Sequence, residues 1–374
     1  MGSDDPKQGN QNYQIAMDSI VFSLQSAGGI SVYWYELLKR LRGRPSVKVF
    51  ACRNNNIFES RLPRIFDCES RLPVPLVRYL PFLQKLPPQT VFHSSYYRWA
   101  SQPRVATITT VHDFTYERFG SGIRRLVHST QKKQAILRSA GVICVSQNTK
   151  RDLLHFFPEV DESRVRVIYN GVGEDFFPLK SREKGLLSDR FPELFDRPFV
   201  LFVGARNGYK NFDKAVDVVS QLKGLGLVAV GGEPMGEDES DWLSDQCGSF
   251  SHVSGIGPED LNLLYNSAFC LLYPSAYEGF GIPVLEAMRA GCPVVACNLS
   301  SIPEIAGDAA VLVNSPEVDE LLVAIESLNN EEVRAKCVEQ GIARAERFSW
   351  QACFEETMAF YDEVATGEFG ESLA

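Results

Sequence analysis

The feature that most limits the fold is an alternation running the length of the chain. Short apolar runs of strand length are followed, again and again, by stretches with helical periodicity. Strands separated by helices pair in parallel, because a helical crossover returns the chain to the same end of the sheet. In a first series the runs Gln14–Phe22, Val47–Ala51, Thr90–His93, Ala106–Val111, Gly141–Val145 and Val165–Ile168 read as strands. Helices read over Gly29–Arg42, Ile123–Ala140 and Gln147–Phe156, and the Pro- and Arg-rich stretch from Arg53 to Pro88 leaves room for one short helix. Polar and turn residues replace the periodicity through 170–187, and a second series follows. Its strands are Phe199–Val203, Leu227–Gly231, Phe250–Val253, Phe269–Tyr273, Pro293–Ala296 and Ala310–Val313. Its helices are Phe212–Leu222, Pro258–Ala268, a short one near Ser301–Ile305, and others across 316–346. In Trp350–Val364, Phe354, Met358 and Tyr361 recur at helical spacing. A chain of 374 residues is long for one core. The reading is therefore α/β: a polar, disordered leader at 1–12, two Rossmann-like domains at 13–175 and 176–348 facing each other across a cleft, and a C-terminal helix in 349–374 that packs back on the first domain.

Nine cysteines, an odd number with no C-x-x-C pair, point to reduced thiols in a cytoplasmic setting and away from zinc. The polar start MGSDDPKQGNQN lacks the charged and apolar regions of a signal peptide. No apolar run approaches the roughly 18 residues of a membrane span. Charge is uneven: residues 1–180 hold 25 Lys+Arg against 15 Asp+Glu, a balance of +10, and 181–374 hold 13 against 32, a balance of −19, which together give −9. Such a split is compatible with scattered solvated charge. It also fits a first half that faces an anionic partner, such as a bilayer leaflet or a lipid pyrophosphate, with peripheral contact at the inner face of the membrane. The basic residues are not interleaved with stacking aromatics, which disfavours nucleic acid.

The stretch YEGFGIPVLEAMRAGCPVV (277–295) carries the chemistry. Gly279-Phe280-Gly281 lets backbone approach a bulky ligand, Pro283 suits a first helical turn, and Gly291 with Pro293 ends the helix after roughly two turns. The amides at such a helix start attract an anion. Glu278 and Glu286 bracket it, so the ligand must also offer hydroxyls for carboxylates to accept from. Arg206 and Lys210 follow the strand that ends near Gly204, where an α/β sheet receives its ligand. Two cations there suit an anionic ligand. No Asp-x-Asp stands at a strand end, and the acidic run at 237–241 reads as a solvated loop.

Three stretches of the second half, VGARNGYKNFDKAV (203–216), SGIGPEDLNLLYNSAFCLLYPSAYEGFGIPVLEAM (254–288) and GCPVVACNLSSIPEIAGDAAVLV (291–313), resemble the retaining nucleotide-sugar glycosyltransferases of family 4, which have the GT-B fold. The first half joins through AGGISVYWYELLKRL (27–41), TVHDFTYERF (110–119), CVSQNTKRDLL (144–154) and VIYNGV (167–172). The resemblance implies that Glu278 meets donor-sugar hydroxyls, Glu286 the nucleotide ribose, and the amides of Phe280, Gly281 and Ile282, beyond Gly279, the distal phosphate. It implies that backbone near Ile256 meets the nucleobase, that Gly28 and Gly29 approach the diphosphate from the first domain, and that His112 contacts the donor sugar. Asp113 orients a loop, and Ser146 and Asn170 stand at strand ends where a structural role is equally open. The mechanism it implies is same-face displacement with retention, the departing phosphate taking the acceptor's proton, and no metal or other cofactor.

Among relatives the chain most resembles mannosyltransferases of bacterial lipopolysaccharide O-antigen assembly. This favours GDP-mannose as donor and a glycan or lipid-linked glycan as acceptor, with UDP- and ADP-sugars left open. An epimerase or phosphorylase of the same fold and a non-catalytic carbohydrate- or nucleotide-binding module are the rivals; transfer to an acceptor separates them. The run GLGLVA (224–229) imitates a dinucleotide fingerprint, but it precedes a strand-like segment where the fingerprint must follow one.

Overall fold

The structure is a computed structural model and describes residues 13–25, 28–42, 44, 46–51, 56–58, 66–68, 73–180, 186–192, 194, 197–206 and 208–367. The leader expected at 1–12 lies outside these residues. The chain divides into two compact units, one of Met1–Tyr169 with Gln351–Ala374 and one of Asn170–Trp350.

In the first unit, strands β1 (Gln14–Asp18), β2 (Val47–Ala51), β3 (Phe66–Cys68), β4 (Thr90–Ser94), β5 (Val105–Val111), β6 (Gly141–Cys144) and β7 (Val165–Val167) form a sheet in the order β3-β2-β1-β4-β5-β6-β7. Every pair in it is parallel. Helices α1 (Gly29–Leu41), α2 (Gly122–Leu137) and α3 (Gln147–Phe156) are among its crossovers. β4 and β6 are buried at every position, as strands covered on both faces must be. The strand expected over Gln14–Phe22 ends at Asp18, and Val21–Leu24 forms a helical turn instead. A short apolar run cannot distinguish these two states by itself. What ends the strand is Asp18, fully buried, which accepts hydrogen bonds from Ser94 Oγ, Ser95 N and Ser95 Oγ at 2.6–2.9 Å and pairs with buried Arg98.

In the second unit, β8 (Phe199–Val203), β9 (Gly226–Val230), β10 (Phe250–Val253), β11 (Cys270–Tyr273), β12 (Val294–Cys297) and β13 (Val311–Val313) form a parallel sheet in the order β10-β9-β8-β11-β12-β13. The order reverses direction between β8 and β11, whose register sets Cys270 beside Val200 and Leu271 beside Leu201. In an open parallel sheet such a reversal opens a crevice at the C-terminal ends of the two strands, and ligands bind there. Its longer helices are α4 (Phe212–Gln221), α5 (Glu237–Cys247), α6 (Pro258–Ser267), α7 (Ile282–Arg289), α8 (Val318–Ser327) and α9 (Glu331–Ala345). Val200, Phe202, Ala215, Val218, Leu272 and Val295 belong to one core formed between sheet and helices. The acidic run at 237–241 opens α5 and is not a loop. Glu237, Asp238 and Glu239 occupy its first turn, where carboxylates are stabilised by the positive helix end.

The last helix, α10 (Trp350–Thr366), crosses to the first unit. Tyr361 OH lies 2.5 Å from His93 Nδ1, and Phe360 packs so close to Gly141 that a Cβ there would sit 2.6 Å from its ring.

Candidate functional site

Two loops meet at the β8/β11 reversal. The chain leaves β8 at Gly204, makes a tight turn at Gly208–Lys210, and enters α4 through Asn211, which adopts the left-handed region at φ 53°. It leaves β11 at Tyr273 and runs through 274–281 into α7. Ala276 N donates to Tyr209 O and the Asn211 side-chain Nδ2 to Pro274 O, both at 2.8 Å, so one backbone pair and one side-chain amide stitch the loops together. Lys210 Nζ lies 2.5 Å from Glu278 Oε1 and donates to the Tyr273 hydroxyl at 3.3 Å. Burial works against the ammonium, but Glu278, helped by Tyr273 and Tyr209, outweighs it and holds Lys210 above its ordinary pKa. Lys210 is therefore charged at every physiological pH.

The glycine loop is held from the other side. Glu278 N donates to Ser300 Oγ at 2.8 Å, and Ser301 Oγ donates to the carbonyls of Glu278 and Phe280 at 2.9 Å each. Phe280 is buried against the edge of Phe348, and Gly279 lies between the two anchored residues. Gly281 takes φ 104°, a region closed to most residues, and a Cβ on it would come within 2.8 Å of Ile302 Cδ1. Ile282 and Pro283 then begin α7. About one turn on, Glu286 is buried and accepts from the Tyr265 hydroxyl at 3.0 Å. Burial raises its carboxyl to about 7, against the pull of that hydrogen bond.

Arg206 stands on the β9/β10 side of β8. Its Nη2 donates to Glu233 O at 2.9 Å; its Nη1 lies 3.0 Å from His252 Nε2 and 3.4 Å from Gly231 O, and Glu239 is 3.8 Å from its Nε. The two cations are thus held apart, Lys210 toward β11 and Arg206 toward β9 and β10. Ile256 follows β10, half-buried on the loop into α6.

The remaining sequence-derived residues have their own settings. Gly28, at φ 151°, and Gly29 are exposed at the start of α1. His112 follows β5, with the Tyr33 ring edge-on at 5.0 Å. Its Nε2 is buried and has no hydrogen-bond partner among the described residues. Burial lowers its pKa to about 4, with Asp113 opposing and Lys132 assisting, so the ring is neutral near pH 7. Asp113 accepts from Thr115 N at 3.2 Å, a local turn. Ser146 caps α3, accepting from Thr149 N. Asn170 is buried in the second unit, and its Oδ1 has no partner among the described residues.

Sequence reasoning passed over Tyr265, Tyr273, Asn211, His252, Ser300 and Ser301, each of which holds a side chain or loop of the site in place. Nothing in their local sequence marks them. Chemically, the site offers a cation and a carboxylate in contact beside a braced glycine loop, a second cation one strand away, and a protonatable carboxyl behind the loop.

Residues 27–176 match the family model described as Glycosyltransferase Family 4, and residues 188–344 match that described as Glycosyl transferases group 1. The chain is 24% identical over 365 residues to O-antigen chain mannosyltransferase B of Escherichia coli, covering 89% of this chain and 95% of that one. Its fold is similar to that of sucrose-phosphate synthase from Thermosynechococcus elongatus, with a TM-score of 0.72 at 19% identity over 95% of this chain and 100% of the other. It is also similar to that of Anabaena HepE in complex with UDP-glucose, with a TM-score of 0.73 at 15% identity over 94% and 99%. These neighbours have the GT-B fold.

Proposed function

Because the chain belongs to the family-4 glycosyltransferases of GT-B fold, we propose that it transfers a mannosyl group, with retention, from GDP-mannose to a glycan or lipid-linked glycan of a cell-surface polysaccharide. The observation that carries the nucleotide-sugar reading is the contact of Lys210 with Glu278 at the β8/β11 reversal, next to the loop that Ser300 and Ser301 brace. A sugar diphosphate needs both kinds of group: cations and amides for the phosphates, carboxylates for the hydroxyls.

In this reading Lys210 and Arg206 face the diphosphate and stabilise its charge as the anomeric C–O bond breaks, so no metal is required. The amides of Phe280, Gly281 and Ile282 meet the distal phosphate, and Glu278 accepts from sugar hydroxyls. Glu286 accepts from the ribose and backbone near Ile256 borders the base. Gly28 and Gly29 approach the diphosphate, and His112, neutral and with a buried nitrogen unsatisfied, takes a sugar hydroxyl. The acceptor oxygen forms the new bond on the face the phosphate leaves, and its proton passes to a phosphate oxygen.

GDP-mannose is favoured by the likeness to the O-antigen mannosyltransferase along nearly the whole chain. A UDP-sugar is the second reading, favoured by the neighbour that holds UDP-glucose. Calorimetric titration with GDP-mannose, UDP-glucose and UDP-N-acetylglucosamine separates them: GDP-mannose should bind, and its failure to do so removes the donor assignment. NMR of the product's anomeric proton should show the donor's configuration; an inverted product removes retention.

A further inference from the structure

His252 and Arg206 meet at a nitrogen that can hold a proton or a lone pair, but not both. His252 stands on β10, an edge strand, in register with Ala229 of β9, which in turn lies beside Phe202 of β8. It is half-buried, between buried Ser251 and buried Val253. Its Nε2 lies 2.8 Å from Gly231 O and 3.0 Å from Arg206 Nη1. Gly231 and Gly232 follow β9 in the left-handed region, at φ 90° and 80°. A Cβ on Gly232 would sit 3.2 Å from Arg206 Nη1, so the glycine leaves room for the guanidinium.

The two neighbours of Nε2 make opposite demands. A guanidinium only donates hydrogen bonds and a carbonyl only accepts them. With a proton on Nε2, His252 donates to Gly231 O and sets an N–H against an N–H of Arg206. With a lone pair there, Nε2 accepts from Arg206 Nη1, and Gly231 O still accepts from the same Nη1 at 3.4 Å. Only the second arrangement has no donor facing a donor, and a hydrogen bond from a cation is the stronger kind. The neighbours thus assign the ring proton to Nδ1. Arg206 Nη2 donates to Glu233 O at 2.9 Å, and its Nε is buried with no hydrogen-bond partner among the described residues. The carbonyls of Gly231 and Glu233 stay in any variant. The imidazole is the hold that side-chain chemistry controls.

We propose that His252, as a neutral ring with its lone pair on Nε2, is a positioning residue that holds the Arg206 guanidinium beyond the end of β8. This rests on the proposed function for what Arg206 does there, stabilising charge as the diphosphate leaves, and adds the group that keeps it in place. Nitrogen-15 NMR of the histidine side chains tests the hydrogen bond with no substrate present. In mildly alkaline buffer, the His252 signals, assigned by their loss in His252→Gln, should show Nε2 unprotonated and Nδ1 protonated. Arg206→Ala should move the proton to Nε2, where Gly231 O accepts it. A protonated Nε2 in the unaltered chain, or a tautomer that does not respond to Arg206→Ala, overturns the proposal.

Turnover tests the consequence. His252→Leu fills the space but accepts nothing. It should lower kcat by about tenfold or more, the worth of one hydrogen bond to a charged group. Donor KM should change little, because the lost interaction acts on charge that develops in the transition state. His252→Gln offers a carbonyl oxygen to Arg206 and an amide to Gly231 O, and should recover most of the rate. In an Arg206→Ala chain, His252→Leu should cost nothing more, since the two residues act as one unit. Three results each overturn the positioning role: His252→Leu as fast as the unaltered chain, His252→Gln as slow as His252→Leu at the same melting temperature, or a full additional loss in the Arg206→Ala chain. An unaltered chain that turns over none of the sugar nucleotides sinks the proposed function instead, and the NMR measurement still decides whether His252 holds Arg206.

Discussion

Tyr265 donates a hydrogen bond to Glu286 at 3.0 Å, and together they place a buried carboxyl with a pKa of about 7 behind the glycine loop. Unfolded, that carboxyl titrates near 4.5. The folded value is the higher one, so the folded state binds the proton more tightly. Stability is lost as pH rises from about 4.5 through about 7, and the full penalty, on the order of 3 kcal/mol, applies above that. Urea unfolding at about pH 5 and about pH 8 should show the decrease, and Glu286→Gln should flatten it. An equal slope in both proteins would remove Glu286 as its source. Donor affinity should rise over the same interval, because only the carboxylate accepts from two hydroxyls.

Lys210 and Glu278 test charge against packing. Lys210→Met leaves a carboxylate enclosed without its partner and should destabilise by about 3 kcal/mol or more, as broken buried pairs do. Adding Glu278→Gln should restore much of the thermal stability. Turnover should stay down by about 10²-fold or more in both, because the cation that the proposed function sets against the diphosphate is absent in each. Recovery of turnover along with the melting temperature would reduce the pair to a structural role.

Gly281→Ala meets two obstacles, a φ of 104° and Ile302 Cδ1 at 2.8 Å. The expected loss is about 1–3 kcal/mol with weaker donor binding. Ile302→Val in the same chain should relieve the contact but not the backbone strain, so recovery should be partial. Complete recovery in denaturant unfolding would show that φ at this position is unimportant.

The first unit should be the acid-labile one. Burial, with neighbouring His112, lowers His93 to about 3, and burial is also the leading cause that lowers His112 to about 4. Unfolded imidazoles titrate near 6.5, so the unfolded state takes up protons first, and stability falls as pH drops from about 6.5 through the folded values. At about pH 5 each ring costs on the order of 2 kcal/mol. Glu286 acts in the opposite sense in the second unit. Hydrogen-exchange protection factors, which divide out the intrinsic pH effect, should fall in β4 and β5 between about pH 7 and about pH 5 more than in β8 and β11. A uniform change across both units would contradict this.

Much of the fold was legible. Nearly every strand of both sheets lies within or beside an apolar run read from the chain, because strand and helix periodicities are written in neighbouring residues. Where neighbours conflict the reading failed. The acidic run at 237–241 reads as a loop by polarity, yet it opens α5, where the helix end stabilises those carboxylates. The apolar run at 19–22 reads as strand, yet Asp18 turns the chain through partners some 76 residues away.

The glycine loop was visible for a related reason: Gly281's left-handed backbone and Pro283's helix start are properties of single residues, and their order survives in any one-dimensional record. The pairings were not. Lys210 meets Glu278 across 68 positions, Arg206 meets His252 across 46, and Tyr265 meets Glu286 across 21. Residue types announced a cation, a carboxylate and a phosphate-sized loop. Which cation touches which carboxylate, and which carboxyl is buried enough to hold its proton near pH 7, depends on the strand order β10-β9-β8-β11 and on the solvent it excludes. Charge interaction and desolvation act through space, and only the packed sheet sets those distances.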